Sequence, residues 1–158
     1  MMMSENEKRI LLNNINKNHF VLEYGSGFST LEIAKLCKHI TSIEHNLEWY
    51  NIVKSQKSNN CDLIFAKPNL NYIEGLHDGT YEEFKTYVDS PLNKNIFDIV
   101  LIDGRARVAC ASVMKKLVHK DSLIFIHDFE RVEYQECLKY LNLIDRCERM
   151  AITKIKND

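Results

Sequence analysis

The segment Val21-Leu22-Glu23-Tyr24-Gly25-Ser26-Gly27-Phe28-Ser29-Thr30-Leu31-Glu32 constrains this chain more than any other. His19 to Tyr24 reads as a short buried strand, apolar and bounded by polar residues. Gly25 and Gly27 follow at a spacing that lets the backbone turn sharply and a ligand come close. Ser29 and Glu32 form an S-x-x-E box that predicts the start of a helix. Strand, glycine turn and capped helix together make the first unit of a nucleotide-binding α/β sheet.

A dinucleotide fingerprint would read G-x-G-x-x-G, with pyrophosphate at the helix N-terminus. Here Thr30 stands where the third glycine should be. Glu23, at the strand end just before the turn, would repel a pyrophosphate. It would favour a cationic ligand such as an amino-acid ammonium or a sulfonium. A tight strand–helix turn that holds no ligand remains the alternative.

The rest of the chain repeats the pattern. Ser4–Asn14 reads as a polar helix with Ile10, Leu11 and Ile15 as its apolar edge. Ser29–Lys38 is a helix, Ile40–His45 a strand, and Leu47–Ser58 a helix with Trp49, Ile52 and Val53 as core contacts. Cys61–Ala66 is a strand stopped by Pro68, and Asn69–Gly79 a loop. Thr80–Val88 reads as a short helix with a Thr80/Glu83 capping box and Tyr81, Phe84 and Tyr87 on one face. Phe97–Ile102 is the most apolar strand, hence central. Arg107–Val118 is a helix, Leu123–Ile126 a strand, Val132–Leu141 a helix, and Leu143–Asp158 two β segments joined near Glu148–Met150. Five β-α repeats and two terminal strands predict an α/β, doubly wound, mostly parallel sheet in one domain. Residues 1–18 form an N-terminal helix and lead-in, and 19–158 a Rossmann-like core.

At 158 residues the chain suffices for a single sizeable core. A formal net charge of −1 offers no strong nucleic-acid signal. No apolar run approaches the ~20 residues of a membrane span, and the N-terminus lacks the apolar stretch of a signal peptide. The five cysteines are scattered, without C-x-x-C or zinc spacing. That is a reduced, intracellular pattern, so a cytoplasmic location is expected.

In such sheets ligands bind beyond the carboxyl ends of the strands, where strand order reverses. The residues to read there are Glu23-Tyr24-Gly25, Glu44-His45-Asn46, Lys67-Pro68-Asn69, Asp103-Gly104-Arg105 and His127-Asp128-Phe129. Glu44 follows Glu23 by 21 residues, close to the ~20-residue interval at which an acid meets a ribose diol. A solvated acid at a strand end would look the same.

Taken together, E-Y-G-S-G-F-S-T at 23–30, I-E-H at 43–45, D-I-V-L-I-D-G-R-A-R-V-A-C at 98–110 and I-H-D-F-E-R at 126–131 resemble one branch of the class I S-adenosylmethionine-dependent methyltransferases. The branch has G-S-G-x-S-T, I-D-G-R-x-R and H-D-[FY] motifs, and the similarity spans most of the chain. The resemblance implies a seven-stranded sheet with the last strand antiparallel, binding S-adenosylmethionine. Glu23, Gly25 and Gly27 would lie along the methionine end, and Tyr24, Ser26, Ser29, Thr30 and Asp103 would also bind the cofactor. Glu44 would take the ribose hydroxyls with His45 beside it, and the loop at Asn69 would approach the adenine. The third strand departs from the class, ending in Lys-Pro-Asn and not in an acid-centred motif.

Methyl transfer needs an in-line nucleophile and, for a hydroxyl, a group to take its proton. Asp103, His127 and Asp128 are the candidates. His127 could equally be a structural residue. Asp103 and Asp128 could hold a divalent ion, but no third ligand is evident and a metal is not favoured. Arg105, Arg107 and Arg131 suit a carboxylate or phosphate on the acceptor, or ion pairs with nearby acids. The expected activity is O- or N-methylation of a small or sugar-like, anionic acceptor, recognised by short loops or by a second subunit of a homo-oligomer. The alternatives are a non-catalytic binding module on the same fold and a nicotinamide-dependent oxidoreductase.

Overall fold

A computed structural model of the chain describes residues 2–157. Its seven strands are β1 (Phe20–Tyr24), β2 (His39–Glu44), β3 (Cys61–Phe65), β4 (Phe97–Ile102), β5 (Val118–Ile126), β6 (Leu141–Cys147) and β7 (Met150–Ile155). They form one sheet in the order β3-β2-β1-β4-β5-β7-β6. The pairs β1/β2, β2/β3, β1/β4 and β4/β5 are parallel, whereas β7 runs antiparallel to both β5 and β6. The chain winds outward from β1 to β3 and then returns to the far side of β1 as β4. The reversal of strand order therefore falls between β1 and β4.

Period-2 alternation builds a core on each face of the sheet. Leu22, Tyr24, Val100, Ile102, Ile124 and Ile126 point to one face, against Phe84, Tyr87, Cys110 and Tyr134. Val21, Ile99, Leu101 and Phe125 point to the other, against Leu11, Ile33 and Cys37. The helices are α1 (Glu5–Asn13), α2 (Phe28–Ala34), α3 (Leu47–Gln56), α4 (Lys85–Asp89) and α5 (Arg107–Ser112). No helix among the described residues is long and apolar enough to cross a membrane.

Several expectations are corrected. Gly27, not Ser29, is the N-cap of α2, and its N–H donates to Thr30 Oγ1 at 3.0 Å. α2 stops at Ala34, because i→i+3 bonds tighten the chain until Lys38 N–H meets the His19 carbonyl. The expected helix over Arg107–Val118 ends at Ser112. A 3₁₀ turn, Met114–Lys116, then leads directly into β5. Val132–Lys139 is 3₁₀ throughout. The helix expected from Thr80 begins only at Lys85, although the Thr80/Glu83 box itself forms, with Thr80 N–H donating to Glu83 Oε2 at 2.8 Å. Trp49 is exposed rather than core. It meets Phe28 edge-on with ring centroids 5.9 Å apart.

Candidate functional site

A cavity of about 800 Å³ opens at the carboxyl ends of β1, β2, β4 and β5. The glycine turn forms its floor, with Gly25, Ser26, Gly27 and Ser29. Glu44 and His45 stand on the β2 side; Asp103, Arg105, Arg107, Asp128 and Arg131 stand on the β4–β5 side. The cavity thus gathers eleven of the residues singled out in the sequence. Glu23, Tyr24, Thr30, Asn69 and His127 are not in its wall.

The two glycines do different work. Gly25 has φ +94°, and a Cβ there would lie 2.7 Å from Gly104 Cα and 2.8 Å from the Asp103 carbonyl. The space expected for a ligand at Gly25 is filled by the β4 turn, so this glycine is needed by the backbone itself. At Gly27 a Cβ would meet no heavy atom within 4 Å. That is an open cradle in the cavity floor.

Glu23 does not face the cavity, which corrects its expected place beside a cationic ligand. Strand alternation turns it under the first turn of α2, fully buried, where Ser29, Thr30 and Ser42 donate their hydroxyls to its carboxylate. Burial pushes its pKa up from 4.5 to about 7, against the pull of those three hydroxyls. A buried acid raised in this way stabilises the fold fully below its ordinary value of 4.5, and that contribution is lost as pH rises through about 7. Glu23→Gln should therefore remove on the order of 2–3 kcal/mol from the stability difference between pH 4 and pH 8. Urea unfolding at the two pH values checks this. An identical difference in both proteins would place the titration elsewhere.

Tyr24 is buried, its hydroxyl donating to the Val88 carbonyl at 2.7 Å. Asn69 is tied to α4 by bonds of 2.8 Å in both directions with Thr86, so its side chain staples the loop. Glu44, by contrast, holds the floor of the cavity. Its carboxylate accepts the Ser26 N–H at 2.8 Å, the Ser26 hydroxyl at 3.0 Å and the Asn46 N–H at 2.8 Å. His45 Nδ1 lies 3.2 Å from Glu44 Oε1, and His45 Nε2 lies 3.4 Å from Glu74.

Beyond β4 and β5 the charges are interlocked. Arg107 is 5% exposed, with its guanidinium 3.2 Å from Asp128 Oδ2 and 3.8 Å from Asp103 Oδ1. It also donates to the Gly104 and His127 carbonyls and lies over the Tyr134 ring. Arg105 pairs with Glu74 at 2.6 Å. Of the three arginines expected to bind an acceptor, only Arg131 lacks a carboxylate partner among the described residues; its guanidinium stands near the Tyr134 ring. His127 is fully buried between Asp103, 3.0 Å from Nδ1, and Glu7, 3.1 Å from Nε2. Both ring nitrogens face carboxylates, so it has no free lone pair to act as a base on a ligand.

Asp103, His127 and Asp128 offer donor atoms within 4.8 Å of one another. Arg107 already places a guanidinium 3.2 Å from Asp128 and 3.8 Å from Asp103, and His127 is engaged on both nitrogens. These residues do not fit a divalent ion without displacing that guanidinium.

Glu7, Glu74, Asp78 and Tyr134 were missed in the sequence. Asp78 accepts the Arg107 N–H at 2.7 Å and the Tyr134 hydroxyl at 2.8 Å, tying the 69–79 loop to the cavity. The signal for Glu7 was the S-x-x-E spacing at Ser4, which forms a capping box. A cap alone would have accounted for it.

The strand order, the antiparallel β7 and helices on both faces make this a Rossmann-like fold, and solved structures share it. A methyltransferase-like protein from Silicibacter pomeroyi DSS-3 superposes with TM-score 0.76 at 24% identity, covering 99% of this chain and 88% of that one. The N-methyltransferase NodS from Bradyrhizobium japonicum WM9 gives 0.60 at 11% identity, over 94% and 92%. SMU.1697c from Streptococcus mutans, a methyltransferase candidate solved in complex with SAH, gives 0.59 at 8% identity, over 98% and 100%. No family model and no curated protein matches the sequence.

Proposed function

We propose that this chain is an S-adenosylmethionine-dependent methyltransferase acting on an oxygen or nitrogen of a small or sugar-like, anionic acceptor. One observation carries the reading: the open cradle at Gly27 shares one cavity with two acids, Glu44 and Asp103, at the carboxyl edge of the sheet where strand order reverses. Glu44 suits the ribose diol, and Asp103 suits the cationic methionine end. When bound, the cofactor supplies an electrophilic methyl group on a sulfonium. The chain's own residues bind and orient. Asp103 lines the cavity, where its carboxylate would hold an ammonium or take an acceptor proton, while Arg131, with no carboxylate partner among the described residues, would offer its guanidinium to an anionic acceptor. Arg105 and Arg107 are spent on internal pairs and lie outside that role. A second subunit of a homo-oligomer would complete the acceptor side of the cavity.

Calorimetric titration with S-adenosylhomocysteine and with NAD tests the cofactor. Binding of NAD alone would overturn the reading in favour of an oxidoreductase. Binding of S-adenosylhomocysteine without turnover on any acceptor would leave a binding module. Glu44→Ala should weaken S-adenosylhomocysteine by about 10- to 100-fold, the worth of hydrogen bonds to an ionised acceptor. Circular dichroism should confirm a retained fold, since Glu44 also anchors the Ser26 and Asn46 N–H groups. An unchanged dissociation constant would move the ribose elsewhere.

A further inference from the structure

Glu7 belongs to no motif of the cavity, yet it is fully buried. Helix α1 brings its carboxylate to the ends of β4 and β5, where Oε2 stands 3.1 Å from His127 Nε2. The other ring nitrogen stands 3.0 Å from Asp103 Oδ1, and Asp103 reaches the cavity. A neutral imidazole has one N–H, so a bare lone pair would face one of the two carboxylates. Only the imidazolium donates to both.

We propose that Glu7 is a positioning residue that, through His127, keeps Asp103 ionised and aimed into the cavity for a cationic group of the ligand. The ligand's identity rests on the methyltransferase reading; the Glu7–His127–Asp103 chain does not.

The charged groups around His127 come from every element packed on it. They are Glu7 on α1, Asp103 after β4, Arg107 on α5, Asp128 after β5, and Arg149 in the β6–β7 turn. Three carboxylates face two guanidiniums, so a proton on His127 brings the buried cluster to neutrality. Burial by itself would lower the His127 pKa. The hydrogen bond and charge of Asp103, with Asp128 and Glu7, raise it instead.

Glu7→Gln changes the charge while preserving the shape. The amide oxygen can keep the bond from the Arg149 backbone N–H, and the amide nitrogen can donate to His127 Nε2, at the cost of the bonds donated by the Ser4 N–H and by Arg149 Nη2. The ring then becomes the neutral Nδ1–H tautomer. Asp103 keeps its hydrogen bond but loses the adjacent positive charge that favours its carboxylate form.

Nitrogen-15 NMR of the imidazoles and calorimetry with S-adenosylhomocysteine from pH 4 to pH 9 test this. Wild-type His127 should carry a proton on both nitrogens at pH 7. In Glu7→Gln its titration midpoint should fall by about one unit or more. The acid limb of S-adenosylhomocysteine affinity should rise by about one unit, about tenfold weaker binding on that limb. A bare nitrogen on wild-type His127 at pH 7, or the same midpoint in the folded variant, overturns the inference. So does an unmoved acid limb with a shifted His127, since Asp103 would then be indifferent to Glu7. If the wild-type protein binds no S-adenosylhomocysteine at any pH, the methyltransferase reading fails. The His127 charge in the free protein still decides the Glu7 link.

Discussion

Gly27→Val should abolish S-adenosylhomocysteine binding, by ~100-fold or more, in a protein as stable as the wild type. Gly27 has φ −179°, an extended conformation open to any residue, and its N–H bond to Thr30 does not depend on its missing side chain. A Cβ there meets no protein atom within 4 Å, so the added methyl groups would project into the cavity alone. The cost to stability should stay near that of a surface substitution, roughly 0.5 kcal/mol. The cost to binding should exceed ~2.7 kcal/mol, because a ligand crossing the turn would meet three carbons it cannot displace. Gly25→Ala is the contrasting control. With φ +94° and a Cβ 2.7 Å from Gly104 Cα, it should destabilise the fold itself. Full affinity in a folded Gly27→Val protein would show that nothing binds across this turn.

Arg107→Ala should be the most damaging single change to stability, about 3–5 kcal/mol, the cost of leaving buried carboxylates without their partner. The guanidinium is 5% exposed and neutralises Asp128 and, at longer range, Asp103. It also donates to two carbonyls, those of Gly104 and His127, which lie after different strands. For a domain of this size such a loss lowers Tm by ~6–20 °C. Arg107→Lys should recover little, since one ammonium cannot donate in the fork geometry that reaches β4 and β5 turns together. Differential scanning calorimetry measures both. A Tm within a degree or two of wild type would return Arg107 to the acceptor-binding role expected from sequence.

Much of this architecture was legible because it rests on short-range patterns. The apolar runs at Val21–Tyr24 and Phe97–Ile102 could only be buried strands, and their alternation with helical segments left a parallel doubly wound sheet as the consistent solution. The glycine turn and the acids at strand ends were equally visible, since topology carries strand ends to one edge of the sheet. Helix lengths were misread at Lys35–Lys38 and Val113–Val118. There, i→i+3 turns, with bonds from Lys38 N–H to the His19 carbonyl and from Phe97 N–H to the Leu117 carbonyl, outcompete local helical propensity.

By itself the sequence determined which residues reach the carboxyl edge of the sheet, because alternating strand and helix periods and right-handed crossovers leave few ways to arrange them. Only the tertiary structure decided which of those side chains face the cavity and which face each other. Glu23 and Glu44 both stand at strand ends, but strand alternation buries one under α2 and sets the other beside the glycine turn. Arg107 and Arg131 are both basic residues after central strands, yet buried carboxylates claim the first and leave the second to the cavity. Glu7 meets His127 across 120 residues of chain. No local pattern encodes such a pairing, because it depends on where a packed helix comes to rest.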